Sequence, residues 1–350
     1  MKKIVSLFMI VLMIVVFVGC GKGNETKTDN SDTTKNQDTS QTDKKDKSNE
    51  KATVIRIAYT LSPESHYHKG LEKFKELVEE KTNNQIDVQL FHSAQLGSER
   101  DAIEGVSMGT LEATLSSTGP LANFSKKFML FDLPFIIQDR TTAFEALDGQ
   151  LGSDMLSSLD SKGIRGLGFW ENGFRMLTNS NRPVNSPEDV KGLKIRLMEN
   201  PVHMETFKAL GAQPVPMPFG ELFTALQQKT VDGQENPLVI IDTSKFYEVQ
   251  DNLAITGHFY SPAVFMINKD FFNGLAPELQ DAINEAESEA RTWQRDYCID
   301  LEEKLVETLK SKGMEITYPD KKAFQEATQS VYDKFKDEIG EDLINQLLNK

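Results

Sequence analysis

Residues 192–237 decide the fold class of this chain; they read GLKIRLMENPVHMETFKALGAQPVPMPFGELFTALQQKTVDGQENP. The run 193–197 alternates between apolar and basic residues, which predicts a short strand with Arg196 on the face opposite the apolar side chains. Helices are predicted near 202–210 and over 219–228, the second because its apolar residues recur at helical spacing. Strands and helices in alternation indicate an α/β architecture.

Two polar residues of this stretch suit the binding of a small carboxylate. Arg196 lies on the predicted strand, and Asn236 follows 232–235, which we interpret as a turn closed by Pro237. A guanidinium offers two parallel N–H donors that match a carboxylate, and lysine cannot reproduce this fork. A strand arginine taken alone usually lies on a solvated face, so the rest of the chain must decide its role.

The same alternation extends over the rest of the folded region. Predicted strands are 54–59, 86–91, 112–116, 164–169 and 174–178, and predicted helices are 64–81 and 98–107. Glu171-Asn172-Gly173 is predicted to form a turn between the last two strands. A helix that begins at Pro277 and ends before Gly313 would be about 50 Å long, enough to brace two lobes.

The first 20 residues indicate export. Two lysines precede an apolar run over 4–18, which is shorter than the roughly 20 residues of a membrane span and suits a signal peptide over 1–19. Residues 17–20, FVGC, resemble a bacterial lipobox, which implies that Cys20 is lipidated and becomes the mature amino terminus. An uncleaved anchor helix is the alternative. In both cases we expect the rest of the chain outside the cytoplasmic membrane, anchored to its outer face.

Composition divides the remainder into a tether and a folded body. Residues 21–51 contain no Val, Ile, Leu, Met, aromatic or Pro, so the tether, 20–51, is predicted to be disordered. The formal net charge is −14; because Lys2 and Lys3 contribute +2 and the tether is balanced, the body carries −16. This charge argues against nucleic acid as a partner. We expect a monomer.

Patterns typical of enzymes and cofactor sites do not fit this chain. GVSMG (105–109) matches the nucleophile elbow, but a predicted helix precedes it and a strand follows, the reverse of what the elbow requires. The five histidines lack zinc-site spacing, and no phosphate-binding glycine motif occurs. The sequence therefore predicts no enzyme, no metal and no cofactor.

One histidine is a candidate for substrate contact. His66 lies in the loop 62–68 after the first predicted strand. Ligand sites of open α/β sheets lie beyond such strand ends, so we predict that His66 contacts the substrate. A solvated loop histidine is the alternative.

Short motifs spread over the body are more specific than any single residue. They are QLGSERDAIEGVSMGTLEA (95–113), GFRMLTN (173–179), GLKIRLMEN (192–200), FTALQQKTVDGQENPL (223–238), KFYEVQ (245–250) and GHFYSPAVFMIN (257–268). Together they resemble the solute-binding subunits of tripartite ATP-independent periplasmic (TRAP) transporters, the DctP-like family that includes C4-dicarboxylate and sialate binders. The resemblance covers 54 to about 320.

The resemblance implies roles for individual residues. It implies that Arg196 makes a two-pronged salt bridge to the substrate carboxylate, that Asn236 steadies this pair, and that Arg175 adds charge and hydrogen bonds. It further implies that Glu99 accepts hydrogen bonds from ligand hydroxyls and that Phe219 packs against the ligand.

The end of the third predicted strand, 112–116, also bears on the identity of the ligand. Ser116 and Ser117 occupy positions where some sialate binders carry an acidic residue, which argues against sialate, and Ser117 is counted with the substrate-binding residues. A hexuronate, an aldonate, another keto or hydroxy acid, or a C4-dicarboxylate remains open.

The resemblance implies a two-lobed fold like that of type II periplasmic binding proteins, with the long helix bracing both lobes. We predict that 52–172 and 262–301 form lobe I and that 173–261 and 302–350 form lobe II. The implied function is the capture of a small organic acid and its delivery to the small and large membrane subunits of a permease driven by an ion gradient. A receptor of an ATP-driven importer and an extracellular hydrolase are the alternatives.

Overall fold

Nine strands form one sheet in the part of the chain that the computed structural model describes, residues 52–348. The predicted signal peptide (1–19), Cys20 and the tether (20–51) lie outside the described residues. The strands are β1 Thr53–Ala58, β2 Ile86–Phe91, β3 Ala113–Ser117, β4 Ile164–Asn179, β5 Lys194–Leu197, β6 Gln213–Pro216, β7 Gly233–Pro237, β8 Asn252–Asn268 and β9 Glu315–Thr317.

Two groups of parallel strands are joined by two long antiparallel strands. The sheet order is β2-β1-β3-β8-β4-β7-β5-β6, with β9 beside β8. In the first strand group, β1 runs parallel to β2 and β3; in the second strand group, β5 runs parallel to β6 and β7. Strands β4 and β8, of 16 and 17 residues, pair with each other along their length and connect the groups. The predicted α/β class with two halves is confirmed.

Helices cover the sheet. They are α1 His66–Lys81, α2 Glu99–Met108, α3 Thr118–Leu121, α4 Arg140–Leu147, α5 Gln150–Ser157, α6 Pro201–Ala209, α7 Phe219–Gln227, α8 Leu238–Thr243, α9 Lys269–Gly274, α10 Pro277–Ser311, α11 Lys321–Thr328, α12 Ser330–Ile339 and α13 Glu341–Leu348. No helix within 52–348 combines the length and apolarity that crossing a membrane would require.

The long helix contacts both strand groups through their helices. Helix α10 has 35 residues, as predicted, and packs against α1 and α8. In its first half, Glu289 pairs with Lys81 at the end of α1, with 2.8 Å between Oε1 and Nζ. Just beyond its end, Lys312 pairs with Asp242 in α8, with 2.5 Å between Nζ and Oδ1. The helix is therefore held at two places by different parts of the fold.

Two predicted turns are wrong, because both segments are strands. Glu171-Asn172-Gly173 lies inside β4, where the register against β8 shifts between Glu171 and Gly173 and then continues, so 164–169 and 174–178 belong to one strand. Residues 233–235 begin β7, which pairs with β4 on one side and with β5 on the other. In both places pairing with strands distant in sequence outweighs the local turn preference of Asn and Gly.

The carboxyl-terminal helices contact side chains from both halves of the chain. Helix α11 packs on α6 and β8, whereas apolar residues of α12 and α13 pack beside the 3-10 segment Lys126–Asp132. The lobe boundaries, 52–172 with 262–301 and 173–261 with 302–350, therefore stay a prediction.

Gly233 is required by the close approach of β7 to β4. A Cβ atom at this position would lie 2.2 Å from the carbonyl oxygen of Thr178, a backbone atom that cannot move aside. We expect Gly233→Ala to reduce the free energy of unfolding by about 1–3 kcal/mol, the usual cost of overpacking. Thermal unfolding of the ligand-free protein measures this. Gly274→Ala is the control, because nothing lies within 4 Å of its Cβ position; equal Tm values for the two variants would contradict the prediction.

Candidate functional site

A cavity of about 300 Å³, which includes space open to solvent, is lined by residues of both strand groups and of β4. An adjoining cavity of about 330 Å³ shares four lining residues with it, Glu99, Arg196, Met198 and Phe219.

Six of the seven predicted substrate-binding residues line the first cavity. They are Glu99, Ser117, Arg175, Arg196, Phe219 and Asn236. They come from the start of α2, the end of β3, β4, β5, the start of α7 and β7. Residues separated by up to 137 positions are thus brought together by the sheet order.

His66 does not line this cavity. It is the first residue of α1 and is fully buried, and neither ring nitrogen has a hydrogen-bond partner among the described residues. Burial lowers the pKa of His66 to about 3, against an opposing contribution from the neighbouring Asn172. Contact between His66 and substrate stays a prediction.

Arg196 is a buried cation without a carboxylate partner. Only 2 % of the residue is exposed, and no carboxylate in 52–348 lies within salt-bridge distance of its guanidinium. Burial lowers the pKa of Arg196 to about 10, so the side chain remains charged at neutral pH. Desolvating an ion costs several kcal/mol unless a counter-ion offsets it. The site therefore favours an anion from outside the protein.

The hydrogen bonds of Arg196 leave one edge of the guanidinium free for a ligand. Its Nε and Nη2 both donate to the carbonyl oxygen of Met217, at 2.9 and 2.6 Å. Nη1 makes no hydrogen bond to any described residue, and Nη2 retains a second N–H. The Nη1–Nη2 edge thus offers the two parallel donors that a carboxylate accepts.

Arg175 is neutralised inside the protein. Its Nε and Nη2 bind the carboxylate of Glu235, with 2.8 Å between Nη2 and Oε1, and Nη2 also lies 3.1 Å from Oδ1 of Asn236. Burial alone would raise the pKa of Glu235, but Arg175, together with His258, holds it well below its usual range. Arg175 therefore contributes a donor to the cavity, while Glu235 cancels its charge.

Glu99 and Ser117 form the wall on the side of the first strand group. Glu99 accepts hydrogen bonds from the backbone N–H and the hydroxyl of Ser117, at 2.9 and 3.0 Å. The start of α2 is fixed by a capping box between Ser98 and Asp101. Phe219, half-buried, places its ring centroid 5.9 Å from Cζ of Arg196, within reach of a cation–π contact.

Sequence reasoning missed several lining residues. Tyr67 lines the cavity although its neighbour His66 was the candidate, because successive helical residues point about 100° apart. Asn172 also lines the cavity, and its apparent turn concealed this position. Met198 was overlooked as an ordinary apolar residue; its sulfur lies 3.3 Å from the Ser117 hydroxyl.

Within 52–348, no group of three or more His, Cys, Asp or Glu side chains is arranged to hold a metal ion. The apparent nucleophile Ser107 lies inside α2, and its hydroxyl donates to the carbonyl oxygen of Lys162. An α/β fold with two halves and a buried cation in a cavity between them is the arrangement of a binding protein for small anions.

The chain belongs to a family of such binding proteins. Residues 57–338 match the DctP family model, described as bacterial extracellular solute-binding protein, family 7. Members of this family are extracytoplasmic binding proteins of TRAP transporters and are not enzymes. The predicted family is thereby confirmed.

Relatives of known sequence match nearly the whole folded region. A solute-binding protein of Verminephrobacter eiseniae is 42 % identical over 296 residues, which cover 84 % of this chain and 88 % of the relative. The 2,3-diketo-L-gulonate-binding periplasmic protein of Escherichia coli is 39 % identical over 297 residues, which cover 84 % and 90 %.

Solved structures share the fold. A TRAP solute-binding protein of Polaromonas bound to D-erythronate has a TM-score of 0.83 at 41 % identity, covering 85 % of this chain and 98 % of that one. The sugar acid binding protein of Advenella mimigardefordensis in complex with galactonate also has a TM-score of 0.83, at 37 % identity and 85 % and 97 % coverage. A Sulfurospirillum deleyianum protein with bound succinate has a TM-score of 0.81 at 31 % identity, covering 84 % and 98 %.

Proposed function

We propose that this protein captures a small organic acid through a salt bridge between Arg196 and the ligand carboxylate, and delivers it to a TRAP permease. The ligand is a sugar acid, such as a hexuronate, or a dicarboxylate. The observation that carries the proposal is the buried guanidinium of Arg196, which lines the cavity without a carboxylate partner among the described residues. Sugar acids and succinate are bound by the relatives named above.

The two hydrogen bonds from Arg196 to a carboxylate would supply a free energy comparable to that of micromolar binding. Hydrogen bonds to charged groups contribute roughly 1.5–3 kcal/mol each. Two of them supply a large share of the about 8 kcal/mol that micromolar affinity requires. The −16 charge of the body does not oppose an anion, because charges beyond about 8 Å are largely screened at physiological ionic strength.

Capture and delivery require that ligand binding change the conformation of the receptor. The ligand contacts Arg196 from one predicted lobe and Glu99 from the other, so its binding favours the closed state. In our proposal the closed receptor, held at the membrane by the lipid on Cys20, docks as a monomer on the small and large membrane subunits. No bond of the ligand changes.

A thermal-shift screen of uronates, aldonates, keto acids and dicarboxylates tests this proposal. We expect a saturable rise in Tm with at least one of these acids, corresponding to about 2.7 kcal/mol when the ligand is at 100 times its Kd. We also expect the acid to be recovered unchanged after prolonged incubation. A reaction product would support the hydrolase alternative, and a screen in which no acid raises Tm would contradict the proposal.

A further inference from the structure

The charges that form and back the cavity cancel one another. Arg175 is paired with Glu235, as described above, and together they are neutral. The two remaining charged groups are the cation of Arg196 and the carboxylate of Glu99, both of which line the cavity. Among the described residues that line this cavity, Arg196 is thus the one cation without a carboxylate partner, which is the match for one carboxylate.

Glu99 supplies hydrogen-bond acceptors on the wall formed by the first strand group. Both carboxylate oxygens of Glu99 accept from Ser117, and each oxygen keeps further lone pairs for a ligand. An ionised carboxylate on the ligand has no hydrogen to donate, and it also repels Glu99. At an effective dielectric constant of 20, two like charges 6 Å apart repel by about 3 kcal/mol. A ligand hydroxyl, in contrast, donates its hydrogen to Glu99.

Asn172 supplies a second acceptor. Its Nδ2 donates to the Ser261 hydroxyl at 3.1 Å, which directs Oδ1 elsewhere. Asn172, only 2 % exposed, lines the cavity, and its other neighbour is the buried ring of His66. A hydroxyl group on the ligand can donate to Oδ1, whereas an ionised carboxylate cannot. The hydroxyl of Tyr67 both donates and accepts, so it does not discriminate.

From this pattern we infer that the preferred ligand is a polyhydroxy monocarboxylate, an aldonate or a hexuronate, and that Glu99 and Asn172 exclude dicarboxylates. The inference rests on the function proposed above and narrows it. One carboxylate pairs with Arg196, and hydroxyl groups along the carbon chain donate to Glu99 and to Oδ1 of Asn172. A second carboxylate near Glu99 would be repelled by the charge of that residue.

Pairs of sugar acids that differ only in a second carboxylate test the inference. D-gluconate and D-glucarate, like D-galactonate and D-galactarate, differ only in whether carbon 6 is a hydroxymethyl group or a carboxylate. By calorimetry on the body, 52–350, we expect at least one of the two monocarboxylates to bind at least about tenfold more tightly than its dicarboxylate and than succinate, since repulsion of about 1.4 kcal/mol already gives a factor of ten. Equal affinity within both pairs, or tighter binding of succinate, would overturn the inference and leave the proposed function standing.

The variant Glu99→Gln tests whether Glu99 causes the preference for monocarboxylates. This substitution removes the negative charge and keeps an acceptor, so we expect the preference for the monocarboxylate to fall at least about fivefold, mainly because the dicarboxylate binds more tightly. Glu76→Gln makes the same change in net charge at an exposed residue of α1 paired with Lys73, away from both cavities, and should leave the preference unchanged. An unchanged preference in Glu99→Gln would overturn the role of Glu99. If neither wild type nor variant binds any of these five acids or any acid of the thermal-shift screen, uronates included, the proposed function itself fails, and the inference with it.

Discussion

Replacing Arg196 by lysine is expected to weaken binding of the preferred organic acid at least about tenfold while the protein remains folded. An ammonium group cannot donate two parallel hydrogen bonds to a carboxylate, and the loss of one charge-assisted bond costs roughly 1.5–3 kcal/mol. The lysine would also have to serve the carbonyl oxygen of Met217, which now receives two donors from Arg196. Isothermal titration calorimetry measures the affinity, and circular dichroism checks the fold.

Arg182→Lys is the matched control for this substitution. Arg182 is exposed, and its guanidinium also binds backbone carbonyl oxygens, those of Asp189 and Lys191, but away from the cavity. We expect its affinity to equal that of the wild type. The same Kd for Arg196→Lys and Arg182→Lys would refute a two-pronged salt bridge at Arg196.

The second large effect concerns the stability of the ligand-free protein. Glu235→Gln is expected to reduce the free energy of unfolding by about 3–5 kcal/mol, because it leaves the guanidinium of Arg175 buried without a counter-ion. Arg175 is 1 % exposed and Glu235 is fully buried, so water cannot take over the lost interaction. This corresponds to a fall in Tm of about 10 °C, measured by differential scanning calorimetry.

Two further variants test whether the unpaired charge of Arg175 causes the loss of stability. Glu188→Gln also removes one half of an ion pair, that with Lys191, but at an exposed position, and should leave Tm nearly unchanged. Adding Arg175→Met to Glu235→Gln removes the orphaned charge and should restore part of the lost stability. A double variant less stable than Glu235→Gln alone would show that the unpaired charge is not the cause.

Much of the fold follows from local sequence signals. The strand over 86–91 and the helix after Ser98 have the predicted bounds within one residue, because alternation and a capping box are short-range patterns. The helix from Pro277 was equally clear, since proline opens it and Gly313 follows its end. These elements can be predicted without knowing which segments of the chain pack against them.

The errors occurred where tertiary pairing outweighs local preference. Asn172 and Gly173 are typical of turns, yet they form an irregular point of β4 because β8 pairs with this strand on both sides of it. Asp232 and Gly233 are also typical of turns, yet Gly233 is the first residue of β7, which pairs with β4. Such pairing depends on strands distant in sequence, which a local pattern cannot reveal.

The sequence predicted that Arg196 is the cation of the candidate site, but it did not predict which other charges near the cavity neutralise one another. Arg196 stood out by its strand pattern and by the motifs around it. Glu235 was interpreted only as part of a turn, although it neutralises Arg175 and thereby decides how many anionic groups the cavity accepts. The partner of a buried charge lies 60 residues away along the chain and becomes evident only when β4 pairs with β7.

The most direct measurement of the role of Arg196 is a crystal structure of the body with a bound aldonate. We expect the two carboxylate oxygens about 2.7–2.9 Å from Nη1 and Nη2 of Arg196, with the Arg175–Glu235 pair intact. A carboxylate bound elsewhere in the cavity, with Arg196 still contacting only the carbonyl oxygen of Met217, would contradict this account.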